Sequence, residues 1–167
     1  TQANVSITPC NRNPDGCTKG TTFQGGINTP LFVAGPRIPA GTTSSAVVSS
    51  TDIMATVAQI LDVASPGDDS VSYWPTLLDP AIHVRRYVFS ETFGSVRRGG
   101  ETIHNEDRAA IGERYKLRSI NGQETLFDLG LDPRERSGLD KNNPALQAVL
   151  AELRAVIANP LDRQLQL

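Results

Sequence analysis

The chain has 167 residues, of which 38% are hydrophobic and 20% are charged, and its formal net charge at pH 7 is −2. This length supports one ordinary domain, or one domain with a small appendage. The slightly acidic balance lacks the basic surface that nucleic-acid binding needs, and no apolar run approaches the roughly 20 residues of a membrane span. We therefore predict a folded chain that neither binds nucleic acid nor crosses a membrane.

Residues 1–29 are predicted to form a long loop, because proline, asparagine and glycine residues interrupt every regular period. The only cysteines, Cys10 and Cys17, lie in this loop. A small disulfide ring between them would indicate an oxidising compartment. Two free thiols are the alternative. A zinc site is a third reading, but it needs about four ligands and neither histidine is near in the sequence.

The next segment is predicted to contain a strand and a helix. The run PLFVAG, residues 30–35, is wholly apolar, which is typical of a strand buried on both faces of a parallel sheet. Ser50 or Thr51 can cap a following helix that has Asp52 in its first turn. Its apolar residues recur at helical spacing on one face: Ile53, Val57, Ile60 and Leu61.

The middle of the chain is predicted to be less regular. Residues 65–70 form a linker, and residues 73–80 form an apolar turn or a single-turn helix. Residues 85–91, RRYVFSE, are predicted to form a strand. The polar residues 94–107 are predicted to form an exposed loop.

From residue 108 the pattern predicts three strands in an antiparallel meander. The pair Asn121-Gly122 between two β-rich runs is a strong hairpin signal. A last helix is predicted to begin at Asn143, with Pro144 at its favoured first position, and to end near Asn159. Its apolar stripe predicts packing on the meander: Leu146, Val149, Leu150, Leu153, Val156 and Ile157.

These elements predict an α/β chain in two parts. Residues 1–70 have the character of the end of an α/β layered domain. Residues 71–167 have the character of an α+β subdomain, in which a small antiparallel sheet is covered by one helix.

Four stretches of the chain, taken in order, carry a resemblance. KGTTFQGGINTPLFVAGPRIPAG is similar to the pattern K-G-T-x-x-E-G-G-x-x-x-P, and VVSSTDIMATVAQILDVA resembles a later V-s-x-D-l-x-P-T-l-l segment. RRYVFSE and ERYKLRSINGQETLFDLGLDPRERSGL look like a carboxyl-terminal run with y-K-l, L-y-D-l and D-P-x-E. Together they cover roughly residues 17–140 and resemble the sulfatases (arylsulfatase-like), a family of the alkaline phosphatase superfamily.

This resemblance implies the carboxyl-terminal portion of a sulfuric ester hydrolase: the end of a mixed sheet with flanking helices, then the small antiparallel subdomain. The family uses a formylglycine nucleophile, made in a C/S-x-P-x-R motif, and a divalent cation, usually Ca²⁺. No such motif occurs in this chain. We therefore expect the nucleophile and the metal ligands on a preceding segment, and no activity from this chain alone. The only methionine, Met54, also fits a processed product or a piece of a longer protein.

By its position in the motif, Lys19 is implied to be the catalytic and substrate-binding lysine, whose ammonium contacts a sulfate oxygen. A long flexible lysine suits such a point-charge contact. The chain departs from the family pattern at Gln24, where the family has glutamate, and at Asn28, where it often has arginine. An ordinary solvated loop lysine is the alternative.

Other candidate residues are weaker. His83 and His104 match no family motif and are expected to be structural or on the surface. Glu91 is expected to order the sheet, and Arg97-Arg98 is expected to be a solvated pair that could meet an anionic substrate. Two alternative functions stay open: a phosphate or phosphonate monoester hydrolase of the same superfamily, and a non-catalytic module with the same fold. The resemblance implies a periplasmic, secreted or lysosome-like compartment.

Overall fold

The computed structural model describes residues 20–65, 69–98 and 101–160, with the side chains of residues 95–105 outside the description. The helices are α1 Gln24–Ile27, α2 Asp52–Ile60, α3 Trp74–Leu78 and α4 Gln147–Ala158. The strands are β1 Tyr87–Arg98, β2 Glu101–Gly112, β3 Tyr115–Ile120 and β4 Gln123–Asp128. A short 3₁₀ turn, Pro144–Leu146, leads into α4. The predicted antiparallel sheet and terminal helix are thus confirmed.

The four strands form one antiparallel meander in the order β1-β2-β3-β4. The predicted Asn121-Gly122 turn joins β3 to β4, and both residues have positive φ angles of 49° and 80°. Two consecutive positive φ angles are what a two-residue type I′ hairpin requires. Asn121 also accepts a hydrogen bond from the backbone N–H of Glu106 at 2.8 Å, which ties the turn to β2.

The prediction of an exposed loop over residues 94–107 is wrong. Strands β1 and β2 pair without interruption from Tyr87↔Gly112 to Arg98↔Glu101. Strand β3 pairs with β2 only over residues 107–111, so residues 94–98 and 101–105 form a two-stranded ribbon beyond the sheet. A two-stranded ribbon pairs its inward-facing backbone groups across the strands and leaves the others to solvent. It can therefore be polar on both faces, which is why polar composition misled the prediction.

Helix α4 covers one face of the sheet, as its apolar stripe predicts. Leu150, Leu153 and Val156 are buried against Leu117 and Leu126. Burial of each such side chain contributes roughly 1.5–3 kcal/mol relative to exposure. Asn143, at the predicted start, accepts a hydrogen bond from the N–H of Ala145 and caps the 3₁₀ turn before α4.

At the edge of this face, Tyr87 and Glu152 join β1 to α4. The Tyr87 hydroxyl donates a hydrogen bond to Glu152 Oε2. Burial and this hydrogen bond to a carboxylate together raise the pKa of Tyr87 to about 12. The polar hydroxyl at the edge of this apolar interface is therefore hydrogen-bonded.

Helix α2 begins at Asp52, after Thr51, as predicted, but its apolar stripe does not face a core. Ile53, Val57, Ile60 and Leu61 are exposed, and the buried residues are Asp52, Ala55, Thr56 and Ala58. The buried side thus consists of two small apolar residues and two polar ones, with Asp52 at the start of the helix. Among the described residues the apolar stripe therefore lies on the surface.

Residues 30–35 form no strand, which corrects a further prediction. The segment has no strand neighbour among the described residues, and the side chains of Leu31, Phe32 and Val33 are exposed, Phe32 by 90%. A strand exists only through hydrogen bonds to a neighbour, so an apolar run alone does not make one. The division of the chain at residue 70 stays a prediction.

Candidate functional site

The residues singled out by sequence lie just before the described chain. Lys19, Cys10 and Cys17 are outside the described residues, which begin at Gly20. Gly20 is exposed and has a φ of 90°, a left-handed conformation that glycine adopts without steric cost. The candidate site is therefore approached through residues 20–27, which we call the lysine-proximal loop.

Thr22 anchors the lysine-proximal loop to the sheet. It is buried, its hydroxyl donates to Asp107 Oδ1 at 2.5 Å, and its N–H donates to Asp107 Oδ2 at 3.1 Å. Arg118 Nε donates both to the Thr22 hydroxyl at 3.1 Å and to Asp107 Oδ1 at 2.9 Å. A second guanidinium nitrogen of Arg118 lies 2.7 Å from Asp107 Oδ2. One residue of the loop is thus held by a buried ion pair that spans β2 and β3.

A second buried ion pair holds the loop from its other side. Lys116 Nζ lies 2.6 Å from Glu135 Oε1, and both side chains are almost completely buried. Lys116 also donates to the backbone oxygen of Thr22 at 2.5 Å. The other oxygen of Glu135 accepts from the N–H of Gln24 at 2.5 Å. Three backbone groups of the loop, two of Thr22 and one of Gln24, therefore end on charged side chains of the carboxyl-terminal region.

Phe23 adds an aromatic contact between these two pairs. The Arg118 guanidinium lies 3.5 Å from the centroid of the Phe23 ring, and the Phe127 ring lies 6.4 Å away at an angle of 57°. A cation over an aromatic face contributes about 0.5–1 kcal/mol when exposed and more when desolvated. The contact fixes the side chain that lies between the two anchored residues.

The four charged residues come from two strands and one loop. Lys116 and Arg118 alternate along β3 on the face opposite Leu117, so they point away from α4. Asp107 lies on β2, and Glu135 follows β4 with a φ of 55°. A non-glycine residue in this region is uncommon and costs of order 1 kcal/mol, so the surroundings must hold Glu135 there.

The pKa values of this cluster follow from its burial and pairing. Burial raises the pKa of Asp107, but hydrogen bonds from Arg118 and Thr22 outweigh it and leave the pKa below its usual value. Burial lowers the pKa of Lys116, and the hydrogen bond and charge of Glu135 oppose that change only in part. Asp107 is therefore held firmly as a carboxylate.

A separate buried pair organises the start of α2. Two nitrogens of Arg85 donate to Asp52, at 2.8 Å to Oδ2 and 2.5 Å to Oδ1. The same carboxylate accepts from the N–H groups of Ser49 and Val71. This cluster joins α2 to the segment before β1.

The weaker candidates have structural contacts. His83 Nδ1 lies 3.3 Å from Glu113 Oε2 at an open cavity of about 300 Å³, and Ser45 donates to the other Glu113 oxygen. Glu91 lies 3.6 Å from Arg108, its register partner on β2, as expected for a residue that orders the sheet. The side chains of His104 and Arg97-Arg98 lie outside the described side chains.

Within residues 20–65, 69–98 and 101–160, no three His, Cys, Asp or Glu side chains are grouped to hold a metal ion. The resemblance implies that the Ca²⁺ ligands lie on a preceding segment, and this stays a prediction. The same ranges contain no helix with the length and hydropathy of a membrane span.

Sequence reasoning missed the anchoring residues. Strand β3 reads YKLRSI, in which polar and apolar residues alternate, and this pattern predicts that Lys116 and Arg118 face water. Both are buried because the lysine-proximal loop covers that face. One sequence signal could have found them: the two basic residues of β3 have acidic residues, Asp107 and Glu135, in the segments before and after the strand.

Comparison with known proteins identifies sulfatases. No family model matches the chain. It is 28% identical over 143 residues to an N-acetylgalactosamine-6-O-sulfatase of Bacteroides thetaiotaomicron, covering 81% of this chain and 28% of that protein. It is 28% identical over 158 residues to human arylsulfatase G, covering 86% of this chain and 30% of that protein.

Solved structures agree with these relatives. The structure of a 2-O GAG sulfatase covers 78% of this chain with a TM-score of 0.59 and 27% identity, and the match spans 28% of that chain. A second structure, of a protein in complex with its substrate D-glucosamine-2-N,6-O-disulfate, has the same fold over 74% of this chain and 26% of that chain, with a TM-score of 0.57 and 20% identity. Sulfatase homologues thus cover most of this chain at low identity, and the chain spans less than a third of their length.

Proposed function

We propose that this chain is the carboxyl-terminal portion of a sulfuric ester hydrolase and that it supplies the sulfate-binding lysine, Lys19. The observation that carries the proposal is the anchoring of the lysine-proximal loop, whose first residue follows Lys19 directly. A surface lysine in a solvated loop needs no such support. Here two buried ion pairs hold the chain three to five residues beyond it.

The chemical role of Lys19 follows from the charge of the reaction. As a sulfate ester is cleaved, negative charge builds on the sulfate oxygens and on the leaving alkoxide, and a fixed cation lowers the energy of that state. A single lysine removes only a part of the roughly 8 kcal/mol or more by which enzymes lower a barrier. We propose that the formylglycine and the metal ligands belong to a preceding segment, because the sequence given contains no C/S-x-P-x-R motif.

The exposed apolar residues support contact with that segment. Leu31, Phe32 and Val33 are exposed, and so are the residues of the apolar stripe of α2. Exposed apolar residues in this number are unusual on a free surface and mark an interaction site. We propose that the preceding segment of the same enzyme, which would correspond to the larger part of the sulfatase relatives' length, covers them.

The test is hydrolysis of an aryl sulfate by the full gene product that carries this chain. Replacement of Lys19 by alanine should lower kcat/KM by about 100-fold or more, the effect of removing one transition-state contact. Lys141→Ala is the matched control, because Lys141 contacts Glu124 and not the loop. Wild-type activity that survives Lys19→Ala unchanged contradicts the proposal.

Parallel kinetics with the phosphate ester of the same alcohol address the alternative reaction. Both substrates present a tetrahedral oxyanion, so the lysine alone does not separate them. A higher kcat/KM for the phosphate ester assigns the phosphomonoester reading, and no turnover of either ester favours a non-catalytic module. The Cys10–Cys17 disulfide and the periplasmic, secreted or lysosome-like compartment also stay proposals, for which thiol counts before and after reduction are the first check.

A further inference from the structure

We infer that the pairs Lys116–Glu135 and Asp107–Arg118 are positioning residues, which fix the backbone of the lysine-proximal loop. We call these four residues the charge clamp. The clamp is not explained by stability. An ion pair with both side chains buried is often matched or exceeded in stability by apolar residues of similar volume, because desolvation offsets the attraction between the charges.

The clamp makes directional hydrogen bonds to the loop backbone, which apolar packing cannot supply. The Lys116 ammonium donates to the backbone oxygen of Thr22, and the Glu135 carboxylate accepts from the N–H of Gln24. Asp107 accepts from both the N–H and the hydroxyl of Thr22. Hydrogen bonds lose strength steeply with misalignment, so these contacts admit one position and one rotation of the loop backbone.

The clamp and the apolar core lie on opposite faces of the sheet. The opposite face of the sheet has its own apolar core with α4, built from Leu117, Leu126 and Leu153. That core involves no residue of the loop. The clamp can therefore be removed in a chain whose sheet and helix still fold, and its effect on the loop can be measured on its own.

The test uses the full gene product with Lys116→Met and Glu135→Leu combined. This variant replaces the Lys116–Glu135 pair by apolar side chains. It leaves the Thr22 oxygen and the Gln24 N–H without their charged partners. Amide hydrogen exchange in a peptide covering residues 20–28 should become at least tenfold faster. Exchange in a peptide covering residues 115–128 should stay within about twofold.

Two further variants keep the result decisive. Arg154→Met with Glu124→Leu is the matched control, because it removes an ion pair of 2.6 Å on the helix side of the sheet, far from the loop in sequence. It should change neither peptide. If the clamp variant does not fold, the isosteric Glu135→Gln takes its place, with the same expected split between the two peptides.

The outcomes separate the clamp from simple stability. Faster exchange in the loop alone supports the inference. Unchanged exchange in the loop overturns it, and so does an equal increase in both peptides, since that reports only lower global stability.

The consequence for turnover rests on the proposed function. In an active enzyme the clamp variant should lower kcat at least tenfold and change KM less than threefold, because a displaced lysine weakens the transition-state contact most. A wild-type protein without esterase activity overturns the proposed function, while the exchange result still decides the clamp. Normal kcat in a variant with a fast-exchanging loop overturns the link between the clamp and catalysis.

Discussion

The two faces of the four-stranded sheet are both covered, but by different chemistry. On the helix side, Leu117 and Leu126 pack against Leu150 and Leu153 of α4 without a polar group at the centre. On the loop side, the charge clamp meets backbone groups of a short irregular segment. A helix has already satisfied its own backbone and needs only an apolar partner. A loop brings unsatisfied N–H and C=O groups, so its partner must supply charges or hydrogen bonds.

We expect the largest loss of stability from Asp107→Asn, which disrupts the loop side of the sheet. The change leaves the buried Arg118 without its counter-charge and weakens two hydrogen bonds to Thr22. Removal of one partner of a buried pair costs about 3–5 kcal/mol, so we expect a loss of this order in the free energy of unfolding. Urea unfolding at pH 7 measures it. A loss below about 1 kcal/mol would mean that the pair contributes little on the loop side.

Leu153→Ala breaks the other face. Leu153 is fully buried against the sheet, and truncation of such a side chain costs about 2–5 kcal/mol through lost burial and the cavity it leaves. The same unfolding experiment measures this loss. Under native conditions the exchange rate of residues 20–28 should change no more than that of the sheet, because no residue of that loop lies in the core around Leu153. Selective release of the loop would contradict the separation of the two faces.

Acid should distinguish the faces more gently. Because the folded chain lowers the pKa of Asp107, this carboxylate contributes stability that is fully present above its unfolded pKa of about 3.9. That contribution is lost as pH falls through the lower folded value. We expect wild type to lose stability below about pH 4, and Asp107→Asn to show a shallower loss, in urea titrations at several pH values. Glu124 and Asp128, whose pKa values are also lowered, keep part of the dependence in both proteins.

Sequence predicted the helix side because its signals are local. The stripe of α4 and the Asn121-Gly122 turn each follow from a few neighbouring residues, and both are confirmed. The loop side depends on contacts between residues 85 to 111 positions apart, such as Thr22 with Asp107 and Gln24 with Glu135. No local period encodes them. The burial of Lys116 contradicts its polar position in the strand pattern, and only the covering loop explains it.

The same limit explains the errors in the amino-terminal half. The apolar run 30–35 and the stripe of α2 were predicted from hydrophobicity, which states that a residue prefers burial but not what buries it. In the described chain both remain exposed. The predicted role of Lys19 came from resemblance alone, and the sulfatase comparisons agree with that family without testing the residue.

The ribbon beyond the sheet has a consequence for how such chains can vary. Its five outer pairs, from Gly94↔Asn105 to Arg98↔Glu101, reach roughly 20 Å past the last pairing with β3. Because each pair takes one residue from each strand, deletion or insertion of a whole rung leaves the register of every inner rung unchanged. The protein therefore carries an arm whose reach can be adjusted in steps of one rung, while the core and the charge clamp keep their geometry.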